Sequence, residues 1–326
     1  MPEAKSGAIL ESNIQQDSFD DEINLNEILD VFWNGRKLIV AITAFFAVVS
    51  VIVALVTPNQ YIASSVLAPA EKDSGGLSST LNKLGGLASF AGINVGAGES
   101  TDVQVAIEIM RSWAFIDSFI VSNNLQAQVY AAKGWNKDDN KLLYNNDIYD
   151  EKNQKWLIKD NDGQYIEPTS WQLYQVFSNY LAVSFDATNG LVSVKIEYYS
   201  PYIAQEWVGK FIKDINLHMQ QRKLVRVNSN IDYLHVQIQK TSVSYIHEVL
   251  YTVIEEQLKN KMFVEATPDN TFVVISPSML PEENSRPRRA IICIVGAFLG
   301  LVLSLFLVFI IHMINTSRKT YFTNQT

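Results

Sequence analysis

Side chains capable of chemistry are sparse in this sequence, and their spacing points away from catalysis. The four histidines, His218, His235, His247 and His312, include no pair at the i, i+4 spacing by which one helix face holds a metal, and solvated helix faces account for them. The acidic doublets Asp138-Asp139 and Glu255-Glu256 read as solvated charge rather than as a general acid and base. Asp160-Asn161-Asp162-Gly163 opens like a calcium loop, but Ile158 stands where a first acidic ligand belongs and Thr169 where the closing Glu belongs, so a plain turn is expected. The stretch from Leu84 to Gly92 lacks the lysine of a phosphate cradle, and Gly96-Ala97-Gly98 lacks a third glycine; a flexible apolar loop or a small-residue packing surface fits better. With no nucleophile elbow, HExxH, CxxC or Walker motif, no catalytic residue, metal ligand or cofactor is expected.

The apolar residues are gathered instead at the two ends. Leu38 to Val56 is uncharged for about nineteen residues, which at 1.5 Å each spans a hydrocarbon core of about 30 Å; Ala290 to Ile311 is slightly longer. Neither run has the polar face of a core helix, and the first lies too far along the chain, with no cleavage-type motif after it, to read as a signal peptide. Two spans put both termini on one side. Arg36 and Lys37 precede the first span and no basic residue follows it before Lys72, so the positive-inside rule places the termini in the cytoplasm; Arg318 and Lys319 agree, whereas Arg286, Arg288 and Arg289 argue the other way. The first helix usually dominates topology, so the expected divisions are a tail at 1–37, spans at 38–56 and 290–311, an outer domain at 57–289 and a tail at 312–326. A net charge of −8 without a basic stripe excludes nucleic acid as a partner. The lone Cys293 lies in the second span, so no disulfide holds the outer domain.

Along the chain, residues 1 to about 22 are polar and acidic, and Leu25, Ile28, Leu29 and Phe32 then recur at helical spacing before the interfacial Trp33. After the break at Thr57-Pro58, Tyr61 to Leu67 reads as a strand, and Thr101 to Asn124 as a helix through Val105, Ile109, Trp113, Ile116 and Ile120. Residues 133 to 168 form a polar surface excursion with a short hairpin. Leu181 to Phe185 and Leu191 to Tyr198 are two strands joined near Asn189-Gly190. Ser200-Pro201 is a helix start, and the absence of proline from there to about Phe263 predicts one very long helix. On it Val227, Ile231, Leu234, Ile238, Tyr245 and Val249 form a seam that needs a partner, either another helix of this chain or a neighbouring subunit. Phe272 to Ile275 is a short returning strand.

Five positions before and within the second span stand out. Pro277, Pro281 and Pro287 favour an extended, semi-rigid connector. Gly296 and Gly300, with Ser304 a turn further on, leave a smooth stripe that another helix can approach closely.

In this order and spacing, Ile23 to Lys37 before the first span, Leu84 to Gly92, Ser200 to Ile212 and the proline-rich approach to a glycine-bearing second span resemble the Wzz polysaccharide co-polymerases, the chain-length determinants of bacterial surface polysaccharides. Pro281 and Pro287, separated by a charged insert, depart from the usual proline spacing. The resemblance implies an α+β membrane protein: two transmembrane helices flanking a periplasmic α/β base domain with one very long helix. It implies the bacterial inner membrane, a homo-oligomeric ring, a Wzy-type polymerase and a lipid-linked glycan as partners, and control of O-antigen length without catalysis. Pro277, Pro281, Pro287, Gly296 and Gly300 would then serve assembly or polymerase contact. Two other readings are an export adaptor working with a separate tyrosine kinase and a two-span periplasmic sensor, the latter short of room for an output domain.

Overall fold

The computed structural model describes residues 25–70, 98–267 and 271–323. The acidic stretch 1–22 and the glycine-rich segment from Leu84 to Gly92 lie outside the described residues. The chain divides into two units, one of the terminal helices and one of Leu55–Arg288.

In the first unit, α1 (Leu25–Val56) carries the membrane-length segment Gly35–Val56, and the C-terminal helix Arg289–Thr323 carries Arg289–Ile314; both segments have a mean hydropathy of 3.0. The amphipathic approach and the first span are one continuous helix.

In the second unit, β1 (Tyr61–Pro69) leads through α2 (Gly98–Arg111), α3 (Trp113–Ser122) and α4 (Gln126–Ala131) to two small antiparallel ladders, β2 (Ala132–Asn136) with β3 (Lys141–Tyr144) and β4 (Tyr149–Asp150) with β5 (Lys155–Trp156). Then come α5 (Ser170–Tyr180), β6 (Leu181–Asp186), β7 (Leu191–Tyr198), α6 (Pro201–Lys240), α7 (Ser244–Ala266) and β8 (Phe272–Ser276); the C-terminal helix is α8.

The main sheet has the order β6-β7-β1-β8 and is antiparallel throughout, with Tyr61 opposite Tyr198, Leu67 opposite Val192, Leu181 opposite Ile196 and Pro69 opposite Phe272. Alternation along β7 sends Val192, Val194, Ile196 and Tyr198 into the core at 0% exposure, and Ala63 and Leu67 do the same from β1. Against that face α6 lays Trp207, Phe211 and Ile215, and α3 and α5 add Phe119 and Phe177. Phe211 meets the edges of Phe115 and Phe119 at 5.3 and 5.1 Å, and Trp207 lies 4.4 Å from Tyr198. Each such side chain contributes about 1.5–3 kcal/mol through burial. Ile62, Ser64 and Lys195 are exposed on the opposite face.

The Ser200-Pro201 start is observed: Ser200 Oγ accepts from the Ile203 N–H, with Pro201 at the first helical position. The long helix, however, ends at Lys240 after 40 residues instead of running to about Phe263. Thr241 and Val243 take extended conformations, a run of β-branched and hydroxyl side chains that compete with helix geometry, and His247 Nε2 lies 2.6 Å from the Thr241 carbonyl oxygen. The chain reverses there and α7 returns along α6. Gln220 Nε2 donates to the Val264 carbonyl at 2.7 Å, and Val227, Ile254 and Val264 are buried in the pair. Ile231, Leu234 and Ile238 are half-buried along the same stretch, whereas Tyr245 is 71% exposed.

The helix expected over Thr101–Asn124 is likewise two. Ser112 turns extended and caps α3, accepting from the Phe115 N–H, which resets the helical phase. Val103, Ala106, Ile107 and Met110 therefore face the core, and Trp113 is 49% exposed. In the polar excursion Asp160 Oδ1 accepts from the N–H groups of Asp162 and Gln164 and Gly163 has φ +77°, the geometry of a plain turn.

Candidate functional site

After β8 the connector is pinned at three points. Ser65 Oγ donates to the Ser276 carbonyl at 2.7 Å, anchoring its start to β1. Ser278 Oγ donates to the Gln205 carbonyl at 3.2 Å while Gln205 Nε2 donates to the Ser278 carbonyl at 2.9 Å, tying it to the first turns of α6. At its far end the Ser285 N–H donates to the Gln60 carbonyl at 2.8 Å and the Gln60 N–H to the Arg286 carbonyl at 2.9 Å, a short ladder between the connector and the chain entering β1.

Glu197 on β7 closes this staple. Its side chain is 12% exposed; Oε1 accepts from Ser285 Oγ at 2.5 Å and Oε2 lies 3.3 Å from Arg286 Nε. The hydroxyl–carboxylate bond is the stronger element, because the Arg286 side chain is 70% exposed and its ion pair is screened. Pro277 is exposed and Pro281 and Pro287 are half-buried, between or beside these anchors; the Arg286-Pro287 bond is cis.

The glycines belong to the other unit, where the stripe on α8 lies against α1 of the same chain. A Cβ at Gly296 would overlap Ser50 Cβ, and one at Gly300 would stand 2.6 Å from Phe46 Cβ and 3.3 Å from the Thr43 Cα. Only glycine admits that approach. Further along, Gly35 on α1 meets Val308 in the same way, at 2.5 Å. Ser50 and Ser304 are buried and donate back to Ala47 and Leu301 of their own helices, so neither hydroxyl is left unpaired in the contact.

The five sequence-chosen positions thus separate into a connector group and a helix-packing group. The residues sequence reasoning missed are those that hold the connector: Gln60, Glu197, Gln205, Ser278, Ser285 and Arg286. Glu197 offers no local signal, since Ser285, which donates to it, is 88 positions away. Chemically the site can fix, orient and pack; among the described residues no group of three His, Cys, Asp or Glu side chains gathers as a metal site.

Residues 21–122 match the family model described as Wzz, chain length determinant protein, a stretch that takes in α1, β1, α2 and α3. Among solved structures the chain is similar to a full-length bacterial polysaccharide co-polymerase, at 13% identity and a TM-score of 0.41 over 90% of this chain and 99% of that one. It is also similar to a fragment of WzzB, a polysaccharide co-polymerase from Salmonella Typhimurium, at 12% identity and a TM-score of 0.30 over 70% of this chain and 100% of the fragment. No curated protein matches the chain in sequence. Through the first membrane-length helix and the opening of the body that follows it, the chain is similar to the Wzz chain length determinant family.

Proposed function

We propose that this protein regulates the chain length of a surface polysaccharide, the O-antigen of lipopolysaccharide, as a non-enzymatic oligomeric scaffold working with a Wzy-type polymerase on a lipid-linked glycan. The observation that carries this reading is the family match over residues 21–122. A body joined at both ends to membrane-length helices, with its connector stapled to the sheet, is physically suited to holding a partner in place. On this reading residues 57–289 lie in the periplasm, both termini are cytoplasmic, and the host membrane is the bacterial inner membrane. Pro277, Pro281 and Pro287 shape the surface offered to the polymerase, and Gly296 and Gly300 set the close pairing of the two terminal helices.

The test is deletion of the gene and comparison of lipopolysaccharide ladders. A shift of the modal band distribution, restored by the wild-type gene, is expected; an unchanged distribution for every surface glycan overturns the proposal. Thiol labelling of single cysteines placed in the body of a Cys293→Ser protein checks topology, and labelling from the cytoplasmic side alone would be incompatible with it.

A further inference from the structure

The phase reset at Ser112 leaves two apolar side chains without a place in the core. Val103, Ala106, Ile107 and Met110 take the inner face of α2, so Val105 and Ile109 on the outer face stay half-buried. Between that outer face and α6 the surface is hollow. A cavity of about 200 Å³ is lined by Asp102, Val105, Met219, Arg222, Lys223 and Arg226. From Val105 a shallower groove of about 360 Å³ continues along Gln104, Glu108, Ile109 and Ser112.

The charges around the cavity do not balance. Arg222 and Arg226 are exposed, one helical turn apart, and neither enters an ion pair or a hydrogen bond among the described residues. Like charges at i, i+4 destabilise a helix, so helix stability does not account for the pair. Lys223, half-buried beside them, donates to Thr271 Oγ1 at 3.4 Å. Asp102 is the one acid in the cavity lining, and at the groove end Glu108 is paired with Arg111 at 3.3 Å. A guanidinium presents a planar fork that matches a carboxylate. Met219, 2% exposed, with Val105 and Ile109 gives an apolar floor suited to the C–H face of a sugar ring. The Gln104 amide, which makes no hydrogen bond among the described residues, supplies a donor and an acceptor for ring hydroxyls.

We infer that this cavity and groove bind an acidic sugar: Arg222 and Arg226 hold the carboxylate of a uronic acid residue, and the adjoining ring lies over Val105 and Ile109 beside Gln104. That the sugar belongs to a longer glycan rests on the chain-length reading. The preference for a carboxylate rests on the two arginines alone.

Saturation-transfer NMR on the full-length, detergent-solubilised protein, titrated with tetragalacturonic acid, tests this. Wild type is expected to transfer saturation to the probe, and Arg222→Gln with Arg226→Gln to lower its affinity about tenfold or more. Lys240→Gln, about 20 Å along α6 from Arg226, should leave it unchanged. The double variant should melt no lower than wild type, because it removes a like-charged pair. A second comparison needs only wild type: the fully methyl-esterified probe has the same rings without the charge and should bind about tenfold more weakly or worse. Absence of transfer from wild type, equal affinity in the double variant, or equal affinity for the ester overturns the inference. Inorganic phosphate competing as well as the tetrasaccharide overturns it too, by reducing the site to one for bare anions. The functional reading fails separately. An unchanged polysaccharide ladder with binding intact overturns the chain-length role and leaves the sugar site, whereas a shifted ladder without binding overturns the site alone.

Discussion

Asn216 on α6 and Phe272 at the head of β8 exchange two hydrogen bonds, Nδ2 donating to the Phe272 carbonyl at 2.8 Å and the Phe272 N–H donating to Oδ1 at 2.9 Å. The amide side chain, 3% exposed, thereby acts as the missing neighbour of an edge strand. Asn216→Leu would leave a buried N–H and a buried carbonyl unsatisfied at about 1–3 kcal/mol each. A loss of about 2–6 kcal/mol and a melting temperature several degrees lower are expected by calorimetry of the detergent-solubilised protein.

Glu197→Ala should free the connector without unfolding the body. A hydrogen bond to a charged group contributes about 1.5–3 kcal/mol, so hydrogen exchange at the Gln60 and Ser285 amides should accelerate about tenfold or more. Arg286→Ala should accelerate it much less, because that partner is mostly solvated. Equal effects of the two substitutions would contradict the assignment of the hydroxyl–carboxylate bond as the principal clamp.

Two glycines in helices should respond in opposite directions to the same change. Gly209 of α6 has nothing within 4 Å of a built Cβ, so Gly209→Ala should stabilise by about 0.5–1 kcal/mol. Gly300→Ala must push Phe46 and the Thr43 backbone away, at about 1–3 kcal/mol. Thermal melts of the two variants beside wild type decide this. Gly296→Leu with Gly300→Leu should go further and alter the polysaccharide ladder; a normal ladder would remove the stripe from the mechanism.

Burial pushes the Tyr198 hydroxyl well above its ordinary value, with Tyr180 beside it raised for the same reason and by the neighbouring Tyr199. Tyr198 also donates to the Gln128 carbonyl at 2.6 Å. Both groups favour the protonated form in the folded state, so their contribution is complete below about pH 10, the unfolded value, and is lost as pH rises beyond it. Tyrosinate absorbance should accordingly show these two hydroxyls ionising together with alkaline unfolding; early titration of all tyrosines with the fold intact would contradict the burial argument.

What could be read from the sequence was what neighbours in sequence decide. The two apolar runs, the Ser200-Pro201 start, the strands around Gly190 and the Asp160 turn each depend on a few adjacent residues, and each is where the spacing placed it. The break after Lys240 carries neither proline nor glycine, the strongest local stop signals; Thr241-Ser242-Val243 disfavours helix instead by side-chain branching and competing hydroxyls. Ser112 acted in the same way within the earlier helix. The clamp on the connector was illegible for a different reason: Gln60, Glu197 and Ser285 become neighbours only after the sheet has formed.

Because the polypeptide doubles back at Thr241–Val243, the projecting arm has two strands of helix whose lengths are coupled. Excising seven residues from α6 beyond Gln220 together with seven from the facing part of α7 would shorten it by about 10 Å and keep the heptad phase, leaving the sheet and the connector untouched. Reach is thus a dial that evolution or an engineer can turn independently of everything beneath it.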